Sequence, residues 1–194
     1  MSIGFYERNA EDFFRRSIDA DMAHGWADFA ALLPVGGSVL DAGCGSGRDA
    51  LALGRMGFEV TAMEASPRLA KLAQAHTGLD VRVMTFDQVS WRETFDGVWA
   101  CASLLHVARP ELPSAVSRLR DALKPDGALW MSFKYGATER EKDSRWFTDL
   151  DEALALELVE DVGGLDLVSL RITDDARVDR PGERRTSLLC KRRG

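Results

Sequence analysis

Val39-Leu40-Asp41-Ala42-Gly43-Cys44-Gly45-Ser46-Gly47-Arg48-Asp49-Ala50 decides how this chain is read. A short apolar strand, 38–40, runs into an acidic residue, then three glycines at alternate positions, then an apolar helical run. Glycine is needed where backbone turns sharply and meets a ligand with no Cβ in between. A helix opening just after such a turn offers unpaired N–H groups to a negatively charged ligand. The stretch therefore predicts a nucleotide-type cofactor site at the end of a first strand. Gly45-x-Gly47-x-x-Ala50 fits the loose dinucleotide pattern, in which Ala replaces the last Gly. Asp41 does not fit it. A pyrophosphate gains nothing from a carboxylate two residues before the first glycine, whereas a cofactor carrying an ammonium or sulfonium does.

Outward from this turn, apolar strands alternate with helical stretches, the pattern of a mostly parallel sheet covered by helices. Strands are expected over 38–40, 58–63, 81–85, 95–101, 128–133, 165–172 and 187–191, and helices over 48–56, 67–76, 111–123 and 148–162. Gly57 is placed to cap the first of these helices, Ser66-Pro67 to start the second, and Lys124-Pro125-Asp126-Gly127 to turn a helix into a strand. Residues 10–33 show helical apolar spacing in two pieces, with a break near His24-Gly25. Arg180-Pro181-Gly182-Glu183 predicts a turn that pairs the last two strands as an antiparallel hairpin. The expectation is one α/β domain over 1–194, with 1–34 as an N-terminal helical lid.

The glycine stretch 41–47 resembles motif I of the class I S-adenosylmethionine (SAM)-dependent methyltransferases, and 95–107 resembles the family's strand leading into the active site. The likeness spans about residues 36–135. It implies a seven-stranded, mostly parallel Rossmann-like sheet with an antiparallel C-terminal strand, SAM as cofactor, and methyl transfer to an O, N, S or metalloid nucleophile. Ala100–His106 with Val107, and Ser132-Phe133-Lys134-Tyr135-Gly136, look like small bacterial methyltransferases of the tellurite-resistance type. The Asn/Asp-Pro-Pro-aromatic motif of amino-methyltransferases acting on DNA bases or protein glutamine is lacking, which favours a small-molecule acceptor.

In open α/β sheets ligands sit beyond the carboxyl ends of the strands. Glu64 follows the second strand, and its oxygens can accept from a ribose diol or favour a helix start. The resemblance places Asp41, Gly43, Cys44, Gly45, Gly47 and Ala65 around the cofactor, with Asp87 receiving the adenine amino group and Phe86 packing on the ring or in the core. Asp87 is equally a turn former. Cys101, Ala102 and Ser103 are expected near the methylsulfonium. His106 is either the proton acceptor or a structural histidine bonded to backbone. Lys134, Tyr135 and Arg145 fit an anionic or aromatic acceptor, or a surface ion cluster with Glu139 and Glu141. Tyr6, Asn9, Phe13 and Phe14 fit a lid over the cofactor or amphipathic packing.

Composition narrows the classes further. With 45% hydrophobic and 29% charged residues in 194, the chain reads as globular, and no apolar run approaches a membrane span. Residues 1–10 lack a secretory pattern. Cys44, Cys101 and Cys190 read as free thiols in a reducing, cytoplasmic compartment, at the wrong spacing for zinc; no metal is expected. A net charge of −6 disfavours nucleic acid as partner. The C-terminal Arg177, Arg180, Arg184, Arg185, Lys191, Arg192 and Arg193 form a solvated edge or a clamp for an anionic substrate. The remaining alternatives are an NAD-dependent oxidoreductase, a non-catalytic SAM-binding module, and an RNA methyltransferase using those arginines. A monomer or homodimer is expected.

Overall fold

Both faces of the central strands must be covered, because residues of opposite parity along each strand are equally apolar. In the computed structural model, which describes residues 2–175 and 182–194, that requirement is met by helices on both sides of one sheet. The elements are α1 (Ser2–Arg8), α2 (Ala10–Ser17), α3 (Ala23–Ala30), β1 (Ser38–Ala42), α4 (Arg48–Arg55), β2 (Glu59–Glu64), α5 (Pro67–Thr77), β3 (Val81–Val83), β4 (Phe95–Ala100), α6 (Leu112–Ala122), β5 (Leu123–Lys134), β6 (Glu139–Lys142), β7 (Arg145–Thr148), α7 (Glu152–Val162), β8 (Leu165–Asp174) and β9 (Arg184–Arg192). The seven-stranded sheet runs β3-β2-β1-β4-β5-β9-β8, with β6-β7 a separate ribbon. The pairs among β3, β2, β1, β4 and β5 are parallel, while β9 is antiparallel to both β5 and β8. The α/β sheet with an antiparallel C-terminal strand is thus the one expected.

Side chains alternate across it as the pleat requires. Val39, Trp99, Trp130 and Leu189 pack with Phe29 and Leu53 on one face. Leu40, Val98, Leu129 and Leu188 pack with Leu119 and Leu158 on the other. Strand order reverses between β1 and β4, so their carboxyl ends diverge from flanking loops and open a crevice there.

Several expected boundaries shift. β1 continues through Asp41, and Glu64 closes β2 rather than following it. The turn at 124–127 is a bulge inside β5: Phe95 pairs with Leu123 but Gly97 with Ala128, and Asp126 adopts φ +63°. The N-terminal break falls between Ser17 and Ala23, not at His24-Gly25. Gly25 is instead helical, and a Cβ there would stand 3.0 Å from the Trp99 ring. Thr148 ends β7, and α7 begins at Glu152 behind Asp151, whose carboxylate accepts the Leu154 N–H at 3.0 Å. Ser66 caps α5 as expected, accepting from Leu69 N–H. Asp96 sits at the amino end of β4 and accepts Ser38 N–H at 2.8 Å and Lys124 Nζ at 2.9 Å, away from the crevice. The turn expected at 180–183 lies largely outside the described residues, as do Arg177 and Arg180.

Gly97 shows how α3 reaches the sheet: a Cβ there would lie 2.6 Å from the Phe29 ring and 2.9 Å from Leu33. Gly97→Ala should therefore overpack this face and cost about 1–3 kcal/mol. Urea unfolding of the variant beside the parent measures it, and an unchanged midpoint would show that α3 yields freely.

Candidate functional site

The glycine turn is tied to β2 and pressed against β4. Gly43 N–H and Cys44 N–H both donate to the Met63 carbonyl at 2.9 Å. Gly43 has φ +84°, and a Cβ there would meet Ser103 Cβ at 2.5 Å. Ser103 Oγ donates to the Ala42 carbonyl at 2.7 Å, joining the ends of β1 and β4. Beyond these ends lies a cavity of about 1210 Å³. That is room for a nucleoside-sized ligand and a second small molecule, since single-ligand pockets run about 300–1,000 Å³.

One end of the cavity is acidic. Glu64 is buried and held by backbone donors: Oε2 accepts Gly45 N–H at 3.1 Å and Oε1 accepts Ser66 N–H at 2.9 Å. Each oxygen keeps a lone-pair direction for a further donor. Burial pushes the carboxyl of Glu64 above its usual value, against the pull of these backbone N–H groups. Asp49 borders the cavity and accepts Trp26 Nε1–H at 2.9 Å and Arg48 Nη2–H at 2.7 Å. Asp41 lies behind the turn, outside the cavity lining, with one carboxylate oxygen buried and unpartnered. Burial, then the neighbouring Asp49, holds its carboxyl well above the usual range. Asp41, expected to face the cofactor, is thus off the cavity wall, where Asp49 stands with both oxygens bonded to Arg48. The signal for Asp49, an acid in the first turn of the helix after the glycines, was present in the sequence.

Thr85, Phe86 and Asp87 line the cavity as a single 3₁₀ turn, Phe86–Gln88, in which Thr85 Oγ1 donates to Asp87 Oδ1 at 2.5 Å. Cys44, Gly45, Ala65, Cys101 and Ala102 also line it; Gly47 and Tyr135 do not. Gly47, with φ +78°, caps α4 against α5, where a Cβ would meet Thr77 at 2.7 Å. Tyr135 lies under the Arg184 guanidinium at 4.1 Å, so it is set apart from the acceptor side where the sequence placed it. Burial pushes the Cys101 thiol up to about 12, leaving it a neutral thiol. Ala102 adopts φ +51°, its N–H donating to Ser132 Oγ at 2.9 Å.

His106 is bonded to backbone, as one of its two expected readings had it. Nδ1 lies 2.6 Å from the Trp146 carbonyl, which only accepts, so Nδ1 bears the proton. Nε2 is then the acceptor, 2.7 Å from the Tyr6 hydroxyl. Burial lowers His106 to about 4, against the opposing Trp146 bond and with help from Arg145, Arg185 and Lys134. Trp146 belongs to the β6-β7 ribbon, whose existence the 135–147 stretch did not announce. Its N–H donates to Ser2 Oγ at 3.0 Å. At the far end of α1, Glu7 accepts Ser66 Oγ–H at 2.5 Å and Arg68 N–H at 2.8 Å. Helix α1 therefore runs from the ribbon to α5, with Tyr6 at the cavity between them. Asn9 only bonds back to the Phe5 carbonyl, while Phe13 closes on Gly45 and on the Tyr6 ring. Phe14 packs on His76.

Lys134 and Arg145 line the cavity, as does Arg185, which was read only as part of a basic tail. Lys134 Nζ is paired with Glu183 at 2.6 Å. Arg145 is held between aromatic faces, 4.1 Å from the Phe5 centroid and 5.1 Å from that of Phe147. Among the described residues no group of three or more His, Cys, Asp or Glu is placed to hold a metal ion, and no helix is long and apolar enough to cross a membrane.

This sheet order, with its crevice at the ends of β1 and β4, is the Rossmann-like fold of methyltransferases. Residues 39–127 match the family model described as a methyltransferase domain. The ubiquinone biosynthesis O-methyltransferase of Xanthomonas axonopodis pv. citri (strain 306) is 34% identical over 110 residues, 53% of this chain and 45% of that protein. The chain thus spans about half the length of the curated relatives it matches. The 1,6-didemethyltoxoflavin-N1-methyltransferase of Burkholderia thailandensis, solved with 1,6-didemethyltoxoflavin and S-adenosylhomocysteine, superposes with TM-score 0.79 at 23% identity, over 100% of this chain and 86% of that one. The magnesium protoporphyrin IX methyltransferase of Synechocystis PCC 6803, solved with bound SAM, gives TM-score 0.74 at 19% identity over 98% and 95%.

The buried neutral state of His106 is a stability statement. Its folded pKa of about 4 lies below the ordinary 6.5, so the unfolded chain gains the proton first as pH falls. The contribution is intact above about 6.5 and is lost as pH falls towards 4, amounting to roughly 2 kcal/mol between pH 7 and 5. His106→Asn should lose stability less steeply than the parent over this interval in urea titrations at both pH values; parallel slopes would contradict a buried neutral imidazole.

Proposed function

We propose that this chain is a SAM-dependent methyltransferase acting on a small-molecule acceptor, with oxygen as the accepting atom. The observation that carries the reading is Glu64, held by two backbone N–H groups beside the glycine turn at the carboxyl end of the sheet. Its remaining lone pairs suit a ribose diol. The Gly43 and Gly45 backbone carries no Cβ at this turn, and Glu64 is the acidic group at that end, Asp49 being already paired with Arg48. Asp87 and Phe86 line the cavity, which supports reading them as the adenine contacts. When bound, SAM supplies an electrophilic methyl group, so the protein's task is chiefly alignment and water exclusion.

The other residues do the rest. Tyr6, Phe13 and α1 act as a lid over the cavity. His106 Nε2, its proton-free side fixed by the Trp146 carbonyl, takes the proton of an acceptor hydroxyl that displaces Tyr6 from it. A base this weak works best on an acidic hydroxyl. Oxygen is favoured over the metalloid chemistry of the tellurite-resistance type because the relatives matched over 110 residues are named O-methyltransferases.

Calorimetric titration with S-adenosylhomocysteine should give micromolar binding, weakened at least tenfold in Glu64→Ala, since losing a hydrogen bond to a charged group costs about 1.5–3 kcal/mol. Binding of NADH in its place would sink this reading. Once an acceptor is found, His106→Gln should lower turnover by about 100-fold or more, and an unchanged rate would remove the base role.

A further inference from the structure

Charge is unevenly spread along the cavity wall, although Glu141, Asp174 and Asp175 stand at the far end too. At the glycine turn burial first, then Asp41, Glu64 and Asp49, raise the Cys44 thiol, with Arg48 the cation among them. Around His106 the neighbours are cations: Lys134, Arg145 and Arg185, each at the cavity wall. Two of these retain donor capacity. Arg185 spends Nε and Nη2 on a single oxygen, Asp175 Oδ2, at 2.9 and 2.6 Å, and leaves Nη1 enclosed without a hydrogen-bond partner. Arg145 reaches Asp143 through Nη2 at 3.2 Å, with Asp143 60% exposed, and its Nε is likewise enclosed and unpartnered. The Arg185 and Arg145 side chains are only 13% and 10% exposed. Leaving buried guanidinium donors unmet is costly, and a guanidinium is the group that matches a carboxylate best.

The remaining C-terminal arginines that the structure describes are occupied elsewhere. Arg184 covers Tyr135, Arg192 meets Glu93 and Arg193 meets Asp166 on the surface. Among the described residues of the basic tail, only Arg185 lines the cavity.

We infer that the acceptor is an anion, held through a carboxylate by Arg185 and Arg145 beside His106. This deepens the methyltransferase reading and rests on it. The two ends of the cavity then sort their ligands by sign, a cationic donor at the glycine turn and an anionic acceptor at β5, β7 and β9. The cations also favour ionisation of an acceptor hydroxyl, which lets a neutral, weakly basic His106 take its proton.

The test uses the full-length protein saturated with S-adenosylhomocysteine and two matched pairs, salicylate with salicylamide and 3-phenyllactate with its amide, titrated by calorimetry. At least one acid should bind tenfold or more tightly than its amide, and Arg185→Gln and Arg145→Gln should each abolish that preference while S-adenosylhomocysteine affinity stays within twofold. The acid-amide comparison on the unaltered protein needs no variant to fold. Equal or tighter binding of the amides, no binding of either acid, or full acid affinity in both variants overturns the inference and leaves the cofactor reading standing. Failure of S-adenosylhomocysteine itself to bind overturns the cofactor reading, and the anionic acceptor falls with it.

Discussion

The contact between the Gly43 backbone and the Ser103 side chain is the constraint on which the site depends. A side chain at Gly43 would collide with Ser103 Cβ, and the Ser103 hydroxyl is already committed to the Ala42 carbonyl. The ends of β1 and β4 are thereby locked together across 60 residues of sequence. With that junction fixed, the Met63 carbonyl holds the glycine turn, Ala102 is driven into a left-handed conformation, and Cys101 and His106 follow at determined places around the cavity. Non-glycine residues persist in such conformations only where their surroundings over-determine them.

Low dielectric gives the charges in this cavity their weight. A carboxylate or guanidinium at the surface is screened within about 10 Å, but the same group against a buried wall acts on its neighbours with much less attenuation. Acidic side chains gathered from the glycine turn, α4 and β2 act on Cys44, and basic ones from β5, β7 and β9 act on His106. The imidazole is kept neutral by burial first and by those cations second. The Trp146 carbonyl then decides which nitrogen holds the proton. A ribbon separate from the sheet thus sets the chemical state of a residue on the β4 loop.

Much of the fold was legible because it is written in local signals. Alternation of apolar strands with helical stretches, Ser66-Pro67 at a helix start and the three alternate glycines each have a local physical cause, and the structure keeps them. The misreadings share a cause of another kind. The 124–127 turn became a bulge because β5 must begin at Leu123 to pair with Phe95. Gly25 stays within a helix packed on Trp99, where a Cβ would be tight. Helix α1 and the β6-β7 ribbon have no strong period of their own; they are held by Ser2, Glu7 and Trp146 reaching distant partners.

The sequence by itself determined the sheet class, the position of the glycine turn, and the presence of Glu64, Asp87 and His106 at or beyond the ends of their strands. Those follow from spacing, since short-range periodicity and turn chemistry act within a few residues. Only the tertiary structure decided that Asp49 and not Asp41 borders the cavity, that Tyr135 is set aside while Arg185 is brought in, and that Tyr6 meets His106. Each of these depends on which face of a strand or helix meets a neighbour far away in sequence. That is fixed by long-range packing and by the need to pair buried polar groups, and no local pattern encodes it.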